Sequence, residues 1–281
     1  MHKVVILGGT GFIGRHLSDI LFGECERILI SRHPPGSKLD SINWLQGDYC
    51  DPHLNIPDCD WIIHLATPSH PSLCSDSPTS TLEKYGLAFK RLLKKMPSKS
   101  RMIYVSSIHV YSQGNLQPMY EDDLAEPMHL YGHIKRQDER LLLNAQKGII
   151  VRPSQLYGFP PPPRSILSDW QSQMCNPDLS VIKVGNLKLE RDFLHVRDAC
   201  LAIRQLIFSP QKHLIFNVSS GTGVTLSEIA NALGILDKCQ QDKLRFRQDE
   251  QLTWVADNTR MVKTGWKVTT HVIDELKKMW V

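Results

Sequence analysis

Three clusters of residues have the types and spacings that reaction chemistry needs. Gly8-Gly9-Thr10-Gly11-Phe12-Ile13-Gly14 follows the apolar run Val4-Val5-Ile6-Leu7 and opens an amphipathic stretch that reaches Phe22. Glycines in that setting allow a tight turn and a close approach of backbone to ligand. The helix start adds free N–H groups and a positive dipole end, and together these suit a pyrophosphate. Tyr131 and Lys135 stand four residues apart in Tyr131-Gly132-His133-Ile134-Lys135, which puts both on one face of a helix. An ammonium beside a phenol favours the phenolate and lowers a pKa that is otherwise about 10, as a proton-trading phenol requires. Ser106 and Ser107 end the run Tyr104-Val105, at the carboxyl edge where doubly wound sheets bind ligands.

The elements that must hold these residues alternate along the first half of the chain. Strands are expected at Lys3–Leu7, Arg27–Ser31, Ile42–Gln46, Trp61–Leu65, Met102–Ser106 and Gly148–Arg152. Helical periodicity runs through Phe12–Phe22, Thr81–Lys95 and Tyr131–Ala145. That alternation implies βαβ units and a parallel sheet covered on both faces. Beyond Pro153 the elements shorten. Phe159-Pro160-Pro161-Pro162-Pro163-Arg164 reads as a rigid loop, since proline fits neither helix interior nor central strand. Thr225 with Glu228 three residues on forms a capping box for a helix over Leu226–Leu233. The expected fold is α/β, a Rossmann-type doubly wound parallel sheet with a smaller mixed α/β substrate-binding cap. The dinucleotide-binding domain is assigned to residues 1–157 with 191–217 returning to it, and the cap to 158–190 and 218–281.

Composition excludes several classes. The 281 residues carry 33 basic and 29 acidic side chains, a formal charge of +4, too mild to indicate a nucleic-acid or membrane-surface partner. No apolar run has the length of a membrane span. With a strand so close to the N-terminus, no signal peptide is expected. Seven scattered cysteines (Cys25, Cys50, Cys59, Cys74, Cys175, Cys200, Cys239) form no CxxC, which points to a reducing cytoplasm and no disulfide framework. His129 and His133 stand four apart without a completing ligand, so no metal is expected.

Taken in order, Gly8-x-x-Gly11-x-x-Gly14, His64-Leu65-Ala66, Ser106-Ser107 and Tyr131-x-x-x-Lys135 resemble the extended short-chain dehydrogenase/reductases, in particular the NAD-dependent epimerase/dehydratase branch that acts on nucleotide sugars. Val151-Arg152-Pro153-Ser154-Gln155-Leu156-Tyr157-Gly158, Arg191–Asp198, Phe216–Gly221 and Asp257–Trp266 extend the likeness over nearly the whole chain. The resemblance implies that Tyr131 is the general acid/base and that Lys135 holds the nicotinamide ribose and tunes Tyr131. It makes Ser107 a hydrogen-bond donor to the reacting sugar oxygen. Gly8, Thr10, Gly11, Phe12, Ile13 and Gly14 would hold the dinucleotide, with Leu65 and Ala66 beside it and Asp48 reaching the adenine. Thr67, His109 and Arg191 would meet the substrate, Arg191 at its diphosphate. His109, two residues after Ser107, shares a face with it if the segment is extended; it is read as pocket wall, with proton transfer as the alternative. Family members often dimerise through the Thr81–Lys95 and Tyr131–Ala145 helices, so a homodimer is expected; Phe89, Leu92 and Leu93 are read either as contacts there or as packed against the sheet.

Three departures narrow the activity. The positions after Ser107 hold Ile108 and His109 where dehydratases carry Asp and Glu, so water elimination is rejected. Tyr85 stands near the place of a bracing Asn. The second strand ends in Ile30-Ser31-Arg32-His33, without the acidic residue that accepts from a ribose and repels a 2′-phosphate. Arg32, with Ser31 adding a hydroxyl, suits that phosphate and favours NADP, with NAD as the alternative. The expected function is an NADP-dependent reductase of a 4-keto-6-deoxy nucleotide sugar, an oxidoreductase of deoxysugar biosynthesis. The alternatives are a 4-epimerase with tightly bound NAD and a non-catalytic dinucleotide-binding protein.

Overall fold

The computed structural model describes residues 1–35, 43–67, 78–112, 114, 116–246 and 251–279. Strand β1 (His2–Leu7) turns into helix α1 (Phe12–Ile20), and β2 (Cys25–Ser31) and β3 (Asn43–Gln46) follow. After β4 (Trp61–His64) come α2 (Pro78–Lys95), β5 (Arg101–Val105), α3 (Leu130–Ala145) and β6 (Gly148–Pro153). The remainder comprises β7 (Gln155–Tyr157), α4 (Ile166–Met174), β8 (Ile182–Val184), β9 (Glu190–His195), α5 (Val196–Phe208), β10 (Ile215–Val218), β11 (Gly223–Thr225) and α6 (Leu226–Ala232). It ends with β12 (Cys239–Gln241), β13 (Thr253–Trp254), α7 (Thr259–Val262) and α8 (Val272–Met279).

Seven strands form one parallel sheet in the order β10-β6-β5-β4-β1-β2-β3. The chain steps outward from β1 to β3, then crosses back to β4, so the order reverses between β1 and β4. Register pairs Leu7 with His64 there, and both strands release their loops at the same edge. Alternate residues feed two separate cores. Val4, Ile6, Leu29, Ile63, Ile103, Val105, Ile149 and Val151 face the side covered by α1 and α5. Val5, Leu7, Ile28, Ile30, Ile62, Met102, Tyr104 and Ile150 face α2 and α3. Burial on both faces is why these strands read as continuous apolar runs.

A smaller sheet joins β7, β9, β11 and β13, with β9 central, and β8 pairs with β12. A third core of Leu167, Trp170, Phe193, Leu226, Ile229 and Leu276 lies among these later elements. The expected capping box is present: Thr225 accepts from the Glu228 N–H at 3.2 Å and Glu228 accepts from the Thr225 N–H at 2.8 Å.

Some expectations are corrected. The first helix stops at Ile20, and Phe22 is an exposed turn residue. Of the two readings of Phe89, Leu92 and Leu93, packing against the sheet is the one found. Ile42 and Cys74 lie outside the described residues; the other six cysteines are free. Among the described residues no helix is long and apolar enough to cross a membrane, and no group of three or more His, Cys, Asp or Glu is placed to hold a metal.

Candidate active site

A cleft of about 2110 Å³ lies over the carboxyl ends of β1, β4, β5 and β6. Every residue singled out from the sequence as a contact lines it: Gly8, Thr10, Gly11, Phe12, Ile13, Gly14, Arg32, Asp48, Leu65, Ala66, Thr67, Ser107, His109, Tyr131, Lys135 and Arg191.

At one end the backbone makes the site. Gly8 sits at φ +82°, and a Cβ on it would stand 3.0 Å from the Leu65 carbonyl carbon. A Cβ on Gly14 would lie 2.5 Å from the Gly9 oxygen and 2.6 Å from that of Gly8, so α1 enters tight against the turn only because that atom is absent. Gly11 occupies the N-cap and supplies no side-chain acceptor, which leaves the first-turn N–H groups directed at the cleft. This cradle fits a dinucleotide pyrophosphate.

The end of β2 partly departs from expectation. Ser31 is not a spare donor: its hydroxyl donates to the His33 carbonyl at 2.8 Å and accepts from Trp44 Nε1 at 2.9 Å. Arg32 is exposed on the cleft wall. Asp48 accepts from the Cys50 N–H at 2.9 Å, an Asx turn that fixes the loop after β3.

At the centre, α3 presents Tyr131 and Lys135 side by side. Gly132 lets the helix approach: a Cβ there would lie 2.4 Å from the His109 oxygen. The Lys135 ammonium donates to the Val105 carbonyl at 2.9 Å and to the Thr67 hydroxyl, 5.7 Å from the Tyr131 ring centre and 5.2 Å from that of Tyr104. Thr67, expected at the sugar, lines the cleft and also accepts from the lysine. Ser107 accepts from the His109 N–H at 3.2 Å and caps a 3₁₀ turn over Ile108–Val110. The extended segment assumed for Ser107 and His109 is not there, because that cap bends the chain. His109 still reaches the cleft, stacked on Trp254 (5.9 Å, 26°) and edge-on to Tyr131 (6.1 Å).

Arg191 is also more occupied than expected. Its Nη1 donates to the carbonyls of Glu190, Gln251 and Leu252 at 2.9, 3.1 and 2.9 Å. Those bonds tie β9 to the chain entering β13.

Beneath the cleft floor lies a buried polar group. His64 is fully buried; it accepts from the Ala66 N–H at 3.3 Å, and burial followed by the charge of Lys135 pushes its pKa down to about 3. Tyr104 donates to Asp138 Oδ2 at 3.0 Å. Burial raises the Asp138 pKa to about 8, against the opposing pull of the Tyr104 hydrogen bond and Lys135. Asp138 and Trp254 were missed in the sequence. A carboxylate three residues past Lys135 on the same helix face was the available signal for Asp138. Trp254 had none, since only β13 pairing brings it to His109.

The NAD dependent epimerase/dehydratase family model matches residues 4–219. The GDP-6-deoxy-D-mannose reductase of Pseudomonas aeruginosa is 24% identical over 98% of this chain and 95% of its own length. A putative UDP-glucose 4-epimerase of Methanocaldococcus jannaschii is likewise 24% identical, over 98% and 96%. Among solved structures, MoeE5 in complex with UDP-glucuronic acid and NAD superposes with a TM-score of 0.85 at 23% identity, covering 98% of this chain and 96% of that one.

Proposed function

Because the chain belongs to the NAD dependent epimerase/dehydratase family, we propose that it is an NADP-dependent reductase of a 4-keto-6-deoxy nucleotide sugar. The observation that carries this reading is Tyr131 beside Lys135 at the sheet edge, next to a buried Ile108 where elimination would need a carboxylate. A bound nicotinamide supplies the hydride. Tyr131 gives its phenolic proton to the carbonyl oxygen as negative charge builds there. Lys135, pinned by Thr67 and Val105, stabilises the phenolate. The Ser107 oxygen already accepts from His109 N, which orients its own proton toward the sugar oxygen. His109 and Trp254 form the wall beside the sugar, and His109 moves no proton. Arg191, on the cleft wall, meets the diphosphate, and Asp48 meets the adenine. Residues 158–190 and 218–281 act as the substrate cap.

Cofactor choice rests on Arg32. Among the described residues its guanidinium has no ion-pair partner, and it lines the cleft at the end of β2. Such a fork suits a 2′-phosphate. The protein works in the cytoplasm as a homodimer through α2 and α3, where Leu87 is exposed; a monomeric mass by light scattering at micromolar concentration would remove the dimer.

The second reading, a 4-epimerase with tightly held NAD, is supported by the relative named as an epimerase at the same identity. Mass spectrometry of ligands released from the purified protein separates the two. Loosely bound or absent cofactor, with NADPH preferred over NADH in titration calorimetry, is the expected result. Stoichiometric retained NAD⁺ and equal affinities would favour the epimerase.

A further inference from the structure

Residues far away in sequence bring Trp254 to the catalytic end of the cleft. Strand β13 pairs with β9 so that Trp254 stands opposite Arg191. The Arg191 guanidinium fixes the chain just before it, donating to the Gln251 and Leu252 carbonyls at 3.1 and 2.9 Å. Just after it, the Val255 N–H donates to Gln117 Oε1 at 2.8 Å, and the Val255 carbonyl accepts from the Met119 N–H at 2.9 Å. The backbone around Trp254 is thus held on both sides without help from the indole.

The indole packs at the margin of a small apolar cluster that includes Ile108, Val110 and Met119. Its Nε1 is buried, and among the described residues it has no hydrogen-bond partner. A buried donor left unpaired costs free energy, so stability alone would be served as well by a ring without an N–H. What the indole contributes is reach. Its ring lies 5.9 Å from that of His109 at 26°, and His109 stands edge-on to Tyr131 at 6.1 Å and 76°. These are the offset-stacked and edge-to-face geometries in which aromatic pairs attract, and all three rings line the cleft. The backbone of His109 is fixed independently: its N–H donates to the Ser107 hydroxyl, and Gly132 lets α3 lie directly on its carbonyl.

We propose that Trp254 is a positioning residue: it holds the His109 ring against Tyr131, and through that contact keeps the phenol in the rotamer from which it reaches the ketone oxygen. Lys135, 5.7 Å from the same ring centre, tunes the charge of the phenol, whereas Trp254 sets its direction. Trp254 comes from the part of the chain proposed as the substrate cap, and Tyr131 from the helix beside the large sheet. The phenol is therefore aligned only when these two parts are docked, and Arg191, proposed to meet the diphosphate, organises the strand pair that docks them. The inference rests on the reading of Tyr131 as the acid.

The kinetic test compares wild type with Trp254→Ala, His109→Ala, the double variant, Trp254→Phe and His109→Phe, using a 4-keto-6-deoxy nucleotide sugar and NADPH. Each alanine variant should lower kcat about 10-fold, short of the roughly 100-fold that a 1 Å misplacement can cost. KM for the sugar and the affinity for NADPH should stay within about three-fold, because the loss falls on the transition state. The double variant should be no slower than the slower single one, since both remove the same contact. His109→Phe and Trp254→Phe keep a ring in place and should recover most of kcat. Losses that multiply in the double variant, a raised KM at unchanged kcat, or a His109→Phe as slow as His109→Ala would each overturn the proposal. Should Trp254→Ala not fold, Trp254→Leu fills the space without a ring and carries the comparison.

A second readout needs no turnover. With the seven tyrosines replaced by 3-fluorotyrosine, fluorine NMR gives a Tyr131 resonance identified by its loss in Tyr131→Phe. That resonance should be sharp in wild type, move or split in Trp254→Ala and His109→Ala, and stay near its wild-type position in Trp254→Phe. A Tyr131 resonance unmoved by Trp254→Ala refutes the positioning even if no sugar is ever reduced. A resonance that moves as expected in a protein that reduces no ketone supports the positioning and counts against the assigned substrate instead.

Discussion

Asp138 and Glu139 are adjacent on α3 and equally hidden from solvent, yet they keep different company. Glu139 receives Arg152 through both oxygens, at 2.9 and 2.8 Å, and Arg136 at 3.0 Å. Arg152 also donates to the Glu121 carbonyl at 3.2 Å and lies 4.8 Å from the Tyr111 ring centre. Glu121 takes the Asn217 N–H at 2.9 Å, and Asn217 takes the Tyr111 hydroxyl at 2.6 Å. Burial works against the Arg152 charge, but Glu139 outweighs it and raises the pKa. The Arg152–Glu139 pair is saturated, and the unit clamps α3, β6 and β10 together. Asp138 instead has one phenol on one oxygen, and among the described residues its other oxygen has no hydrogen-bond partner. A saturated ion pair resists change and serves structure. A half-satisfied buried carboxyl is instead held toward its neutral form by burial, and this one stands one helical turn from Lys135, the partner of the residue proposed to do chemistry.

The sharpest separation is between loss of turnover and loss of fold. Tyr131→Phe should cut kcat about 10²–10⁴-fold while leaving the melting temperature and cofactor affinity in place; near-normal kcat with a keto sugar nucleotide would remove Tyr131 from the reaction. Arg152→Met should do the reverse. It strands a buried carboxylate and should cost about 3–5 kcal/mol in chemical denaturation, while the folded fraction keeps the wild-type pH profile. A shifted profile in that variant would merge the two units into one.

Farther along the cleft, Arg32→Asp should weaken NADPH about 10- to 100-fold, the worth of one charge-assisted contact. NADH affinity should hold within about two-fold by calorimetry. Equal losses for both cofactors would make Arg32 a general contact rather than a phosphate reader.

The smallest effect is on stability against pH. A carboxyl whose folded pKa is raised binds its proton more tightly in the folded state. Its contribution is therefore complete below the unfolded pKa of about 4 and lost as pH climbs toward 8. Asp138→Asn has no such loss, so its melting temperature relative to wild type should rise between pH 4 and pH 8. A constant difference across that range would mean that Asp138 is ionised throughout.

The same contrast explains what the sequence disclosed. The glycine turn was legible because Gly8 and Gly14 are required by backbone approach, and residue type reports that directly. The strands were legible because burial on both faces leaves only apolar choices. The clamp was half visible, since Arg152 stands in a recognisable segment but its partner does not announce itself. Thr67, Ser31 and Arg191 line the cleft, but spacing did not reveal that Lys135, His33 with Trp44, and three carbonyls engage them. Side-chain direction depends on neighbours distant in sequence, and linear spacing does not encode it. The 3₁₀ turn after Ser107 hid for a different reason: one local side-chain bond redirected a segment whose composition reads as strand.

The central claim is reduction of a keto sugar by NADPH through Tyr131, and one assay addresses it directly. Purified protein is mixed with NADPH and a 4-keto-6-deoxy nucleotide sugar, with NADPH absorbance and sugar products followed together. Loss of one NADPH for each alcohol formed, abolished in Tyr131→Phe, is the predicted result. Conversion of a nucleotide sugar to its 4-epimer with no net consumption of added NADPH would contradict it.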